Sequence, residues 1–369
     1  MAASLRNIIQ AYDPKCPLDQ ASTAPASWYT DARIAELERR TVFSRSWQMA
    51  ARSDRLIDCG RYVTGDIAGA PVALVRGEDG VLRGFFNVCR HHAAQVLLPP
   101  EGCAKHLRCP YHGWTYDLTG RLVAAPEFAG VANFSAAKIA LPPVRVASFG
   151  RWLFAKLAGE GDELNVYLGG DLRAQIDRLA LDKLHWYERR CYTLDCNWKI
   201  YVDNYLDGGY HVPHIHTGLN SVLTPGKYRI ETGARHCLQS SDMIPSASDG
   251  ETAAVRQGER ASYFWIYPNF MINVYAGVMD TNLVRPLGVD RCEVIFDYYF
   301  ADLADQGRNR ASIALSEKIQ DEDKAICESV QRGLRSRSYD AGRLSVRREA
   351  GEHLFHRLLH ADLTEGVAR

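Results

Sequence analysis

Residues 87–120 read NVCRHHAAQVLLPPEGCAKHLRCPYHGWTYDLTG, and two short Cys/His pairs sit inside them: Cys89 with His91, and Cys109 with His112. Thiolates and imidazoles are soft or borderline metal ligands. Four of them on two loops oblige the loops to meet around a metal, which constrains the closure of a whole small domain. Zinc accepts a Cys2His2 shell, but zinc modules usually group two Cys in one knuckle and two His in another. Here each loop supplies one of each.

That mixed pairing suits a [2Fe–2S] centre in which one iron takes both thiolates and the other takes both imidazoles. The run CPYHGW (109–114) sharpens the reading. It resembles the Rieske domains of ring-hydroxylating and related oxygenases. Rieske proteins of cytochrome complexes carry a further Cys in each loop. This chain has Ala94 and Tyr111 at those positions, which sets that branch aside. Cys103, His92 and His106 lie near the loops and are expected to be structural or solvent-facing.

The chain has 369 residues, 46% of them apolar, enough for one large core or two moderate ones. Its 44 basic and 44 acidic residues balance, which argues against a nucleic-acid partner or a polybasic membrane anchor. No run approaches the roughly 20 apolar residues of a membrane span, and the first residues lack a signal-peptide core. The expected location is the cytoplasm, where scattered Cys stay reduced.

Residues 1–44 are expected to form a helical segment, capped by Thr30 and packed on the catalytic domain. Residues 45–160 carry short β-rich runs such as PVALVR (71–76) and GFFNV (84–88), with a hairpin signal at GEDG (77–80). They predict an all-β domain holding the cluster. Residues 161–369 read as α+β, with helices over 171–184, 309–334 and 349–363 and strands over 262–275 and 292–300. The expected fold is therefore α+β: an N-terminal all-β domain, then an antiparallel sheet covered by helices.

The densest polar cluster of the second half is NWKIYVDNYLDGGYHVPHIHTGL (197–219), with Asp203, Asp207, His211, His214 and His216. On a chain that already carries an electron-transfer cluster, such a set points to a mononuclear iron. Two His and one carboxylate on one face leave positions open for O2 and substrate. The family pattern, two His separated by four residues, selects His211 and His216, with His214 the competitor. Asp207 lies one helical turn before His211, close enough to orient its ring. In the family an acid here also touches a cluster His of the neighbouring subunit; Asp203 is the alternative bridge. IQDEDKAICESVQRGL (319–334) offers Asp321, Glu322 and Asp323 for the third ligand. The family's Glu-Asp ahead of Cys-Glu-x-Val-Gln selects Asp323, with Asp321 second.

WYTD (28–31), FFNVCRHHA (85–93), CPYHGWTYDLTG (109–120), NWKIYVDNYLDGGYHVP (197–213), YPNF (267–270) and CESVQRGL (327–334) together resemble plant choline monooxygenases and their bacterial relatives. The resemblance implies a terminal oxygenase, a homotrimer in which each cluster feeds the next subunit's iron. Electrons would come from a separate reductase or ferredoxin, and the chain has no nicotinamide or flavin signature of its own. The implied substrate is a quaternary ammonium compound, choline or a betaine. Its cation would need an aromatic cage, for which Tyr263, Trp265, Tyr267, Phe270 and Tyr275 are candidates. The chain also departs from the plant pattern. Where those enzymes read Glu-Arg-Tyr and then Trp, it has Asn273-Val274-Tyr275 and Val278. Aromatic hydroxylation and N- or O-demethylation are the alternatives within the class; a Rieske electron carrier or a zinc-stabilised binding protein are the alternatives outside it.

Overall fold

In the computed structural model, which describes residues 3–244, 250–336 and 338–368, the run PVALVR lies in the strand Ala70–Arg76, buried on both faces. Its side chains alternate between two cores, Val72 and Leu74 into one, Ala73 and Val75 into the other. A strand with no solvated face reads as a continuous apolar run. GEDG turns it into Leu82–Phe86, antiparallel from Arg76 opposite Leu82. These strands are the centre of a seven-stranded antiparallel sheet within residues 43–167. A three-stranded sheet, Leu107–Arg108, Thr115–Tyr116 and Leu122–Ala124, closes over the second core. That core contains Cys89 and Cys109.

Residues 3–42 and 168–368 form the second unit. Its seven-stranded sheet is antiparallel throughout. Six strands follow one another from Arg229–Thr232 to Cys292–Phe300, and His185–Leu194 pairs beside the last. The stretch 262–275 is two strands, Arg260–Ile266 and Phe270–Tyr275, broken at Tyr267–Asn269. The helices Trp198–Leu206, Gln306–Leu334 and Ala350–Ala368 complete the α+β fold. Among the described residues no helix is long and apolar enough to cross a membrane.

One local feature differs from expectation. The cap of the N-terminal helix Ala32–Glu38 is Asp31, whose carboxylate accepts from Arg33 N at 2.9 Å. Thr30 instead donates its hydroxyl to Ala26 O at 2.9 Å, ending a short preceding helix. The long helix Gln306–Leu334 also turns a polar stripe inward. Asn309, Ser312, Ser316, Gln320 and Gln331 are buried while Val330 is exposed. Buried polar side chains require partners, so this helix face belongs to a site rather than to an oily core.

One buried ion pair ties the N-terminal helix to Trp198–Leu206. Lys199 Nζ lies 2.6 Å from Glu38 Oε1, both essentially inaccessible. Glu38 Oε2 accepts from Trp198 Nε1 at 2.9 Å, and the ammonium sits 5.4 Å from the ring centres of Tyr29 and Trp198. Removing one partner strands the other charge. Lys199→Met is therefore expected to cost about 3–5 kcal/mol, read as an earlier urea transition of this unit, and Lys199→Met with Glu38→Leu should recover most of the loss.

Candidate metal centres and substrate cavity

The two Cys/His loops are built alike. Cys89 N donates to Ala94 O (2.8 Å) and Ala93 N to Cys89 O (3.1 Å). In the other loop Cys109 N donates to Trp114 O (2.8 Å) and Gly113 N to Cys109 O (3.1 Å). The residue four places after each Cys is left-handed, Ala93 at φ 59° and Gly113 at φ 71°. The repeated turn sets both thiols in the core and leaves His91 half-buried and His112 exposed. The imidazole rings approach to 4.7 Å between centroids, and His91 stacks on Trp114 at 4.8 Å. Tyr116 Oη stands 3.3 Å from Cys89 Sγ and accepts from Arg90 N at 2.9 Å. Burial pushes the Cys109 thiol up and the adjacent Cys89 adds to it; a cation at the thiols would reverse that penalty. His91 Nδ1 is sealed from water without a protein partner. Two paired thiols inside, one half-buried and one exposed imidazole, and an orphaned ring nitrogen fit a [2Fe–2S] group. His92, His106 and Cys103 are exposed.

In the larger unit the helix Trp198–Leu206 ends at Asp207. The chain then reverses through Gly208 (φ 69°) and Gly209 (φ 67°). A Cβ on Gly208 would lie 2.0 Å from Arg348 O, and one on Gly209 would lie 2.7 Å from the Tyr228 ring, so both positions demand glycine. Asp207 therefore does not reach His211 along a helical turn. The glycine reversal brings them together instead. Asp207 Oδ2 meets His211 Nδ1 at 2.6 Å and also accepts from His211 N at 3.0 Å.

His211, His216 and Asp323 converge, with one ligand atom of each within 4.8 Å of the others. His216 Nε2 lies 3.0 Å and His211 Nε2 3.9 Å from Asp323 Oδ1. Each second ring nitrogen meets an acid: His211 Nδ1 meets Asp207, and His216 Nδ1 meets Glu322 Oε2 at 2.7 Å. Such outer partners set the tautomer so that Nε2 is free to ligate. Asn204 Nδ2 donates to Asp323 Oδ1 at 2.8 Å. Burial works against a charge on His216, yet Asp323 and Glu322 outweigh it and raise the imidazole above its ordinary range. This excess of negative potential fits a divalent cation.

His214 and Asp321 are exposed and outside the group. Asp203 turns away to Tyr29 Oη (2.6 Å) and His356 Nε2 (3.0 Å). On the last helix His356 is thus structural, accepting from Ala24 N at 3.2 Å through Nδ1, and His360 packs against Trp28.

The trio opens on a cavity of about 110 Å3. At 10–15 Å3 per water-sized group this holds roughly seven to eleven such groups. One cross-strand row, Gln239, Tyr263, Asn273, Asp280 and Tyr298, runs across this part of the sheet, and its first four members line the cavity. Tyr205, Tyr228 and Tyr275 add rings. Burial holds the phenols of Tyr205, Tyr228 and Tyr263 well above their ordinary range, so they stay neutral. Of the five aromatics expected here, Tyr263 and Tyr275 line the cavity and three do not. Trp265 and Tyr267 share the face of Tyr263, but the last helix covers that end of the strand. Trp265 packs on Phe355, and Tyr267 Oη donates to Asp362 at 2.6 Å. Phe270 has the opposite parity to Met271, Asn273 and Tyr275 and faces the other side of the sheet. Sequence reasoning missed Asp280, Asn282 and Arg256. Asp280 and Asn282 had a signal: an acid and an amide two residues apart, and so on one face of the strand Val278–Pro286.

The pattern for a Rieske [2Fe-2S] domain matches residues 46–135, and that for the ring hydroxylating alpha subunit (catalytic domain) matches residues 181–365. Choline monooxygenase of Arabidopsis thaliana is 40% identical over 98% of this chain and 87% of its own length. The carnitine monooxygenase oxygenase subunit of Escherichia coli K12 is 33% identical over 87% of this chain and 86% of its own. A solved quaternary ammonium Rieske monooxygenase, described with carnitine oxidation and inter-subunit electron transfer, superposes with a TM-score of 0.83 at 27% identity, covering 94% of this chain and 96% of that one. The chain belongs to the Rieske non-haem iron oxygenase alpha subunits, as a choline monooxygenase-like monooxygenase with a [2Fe–2S] cluster and a mononuclear iron.

Proposed function

We propose that this chain is the terminal oxygenase for a small quaternary ammonium substrate, with Cys89, His91, Cys109 and His112 holding the cluster and His211, His216 and Asp323 holding the iron. The observation that carries the reading is the convergence of that trio on a small, tyrosine-rich cavity containing a buried carboxylate. When bound, the iron supplies oxygen activation and the cluster supplies single electrons. The protein does the rest. Asp207 and Glu322 hold protons on the Nδ1 atoms of His211 and His216, keeping each Nε2 toward Asp323. Asn204 restrains the carboxylate. Tyr205, Tyr228, Tyr263 and Tyr275 exclude water and present ring faces to a cation that carries no hydrogen-bond donor of its own.

Electrons come from a separate NAD(P)H-dependent reductase or a ferredoxin, and the working assembly is a cytoplasmic homotrimer. Asp207 is the bridging acid in this reading. It does not line the substrate cavity but a second depression with Asp203, Val330 and Tyr339, where a neighbouring subunit's histidine can approach from behind His211.

Two variants test the assignments. His211→Ala should lower iron from about three per chain, two in the cluster and one mononuclear, to about two. The visible and paramagnetic signals of the cluster persist while product formation stops. Retention of the third iron with normal turnover removes His211 from the ligand set. Asp207→Asn should keep all the iron and an unchanged cluster potential, yet lose about 10- to 100-fold in product formed in single-turnover reactions from the reduced protein, an order of magnitude set by the cost of losing such a partner.

A further inference from the structure

The cavity holds two ionisable groups of opposite sign, neither in contact with a counter-ion among the described residues. Asp280 is 4% exposed. Its Oδ2 accepts from Asn273 Nδ2 at 2.7 Å and Asn282 Nδ2 at 3.1 Å, whereas Oδ1 accepts no hydrogen bond among the described residues. Arg256 is 3% exposed. Its guanidinium donates to the hydroxyl of Ser312, to Ser316 Oγ at 2.7 Å and to Ser312 O at 3.4 Å, all neutral acceptors. Its Nε has no acceptor among the described residues. The guanidinium carbon lies 4.9 Å from the Tyr275 ring centre. Among the described residues no carboxylate comes within 4.0 Å of Arg256, and Asp280 has no cation within that distance. Burial pushes the Asp280 carboxyl up and Arg256 pulls it only part of the way back.

A buried charge with no contacting partner is expensive. Here two of opposite sign line the same cavity without touching. They do not neutralise each other by direct contact, so the ligand is the natural partner for both. A plain amino alcohol would satisfy only Asp280. A neutral aromatic would satisfy neither, and would leave both charges dry.

We infer that the substrate is zwitterionic, a carboxylated quaternary ammonium compound, with its cationic head at Asp280 among the tyrosines and its carboxylate read by Arg256. This rests on the quaternary ammonium reading above and narrows it. Arg256 is then the residue that selects a betaine over choline. Arginine suits this task because its planar donors match a carboxylate.

The test uses the iron-loaded protein with its electron donor, and glycine betaine, γ-butyrobetaine and choline as probes. Binding is measured by calorimetry, and KM and kcat from product formed per O2 consumed. The wild type should bind at least one carboxylated compound more tightly than choline. Arg256→Gln should raise the ratio of KM for that compound to KM for choline by about 10- to 100-fold, the range for a lost charged hydrogen bond, with Arg256→Lys between the two. Asp280→Asn should raise KM for both kinds of compound. An unchanged cluster spectrum and helix content certify each variant's fold. Equal loss for choline and the carboxylated probes in both Arg256 variants, or a wild type that prefers choline, overturns the inference while leaving the oxygenase reading intact. A wild type that binds none of the three overturns the quaternary ammonium reading itself.

Discussion

The larger unit depends on one constraint: polar groups removed from water must find partners. Its longest helix puts Asn309, Ser312, Ser316, Gln320, Asp323 and Gln331 on the inner side, and each makes at least one hydrogen bond. Gln331 accepts from Asn197 N at 2.7 Å, Gln320 from Tyr201 Oη at 2.6 Å, and Asp323 from Asn204 at 2.8 Å. The answering residues Asn197, Tyr201 and Asn204 lie about one turn apart from the cap of Trp198–Leu206 onward. Two helices are thus sewn together by hydrogen bonds rather than by leucines. Such a seam specifies one register, because a slip would strand several buried donors and acceptors at once. The register it specifies is the one that delivers Asp323 to the two histidines.

Both metal sites use the same division of labour between rigid backbone and exposed chemistry. In the smaller unit a turn occurring twice holds two thiols in the core while the imidazoles reach the surface. The insulated thiols would hold one side of a [2Fe–2S] cluster, and the imidazole side would be the route for its electron. In the larger unit two left-handed glycines replace a helical turn, and the acids behind the histidine rings aim them. Neither site relies on a flexible side chain to find its own position.

The pairing of Asn273 with Asp280 has a physical meaning. The two are direct cross-strand partners, and the Asn273 amide donates to the carboxylate one strand over. Two carboxylates at this pair would repel in a dry cavity, so Asn and Asp here are complementary choices.

The candidate ligand residues were legible because a metal reaction demands particular atoms, and those residue types are rare enough at short spacing to stand out. Cys89-x-His91, Cys109-x-x-His112 and the run Asp207 to His216 are local signals of that kind, and strand alternation and helical periodicity outlined the α+β order. The substrate cavity was not legible. Its wall is a row across four strands joined to a helix face and to Arg256, and residues so far apart in the chain carry no common spacing. Five aromatics of one hairpin looked equivalent along the chain, yet only Tyr263 and Tyr275 line the cavity. Parity turned Phe270 to the far face, and the last helix claimed Trp265 and Tyr267. Local chemistry singled out the candidate metal ligands; only the packing of distant elements decided which buried ionisable groups were left without a contacting counter-ion, because desolvation is a property of the assembled fold and not of any segment.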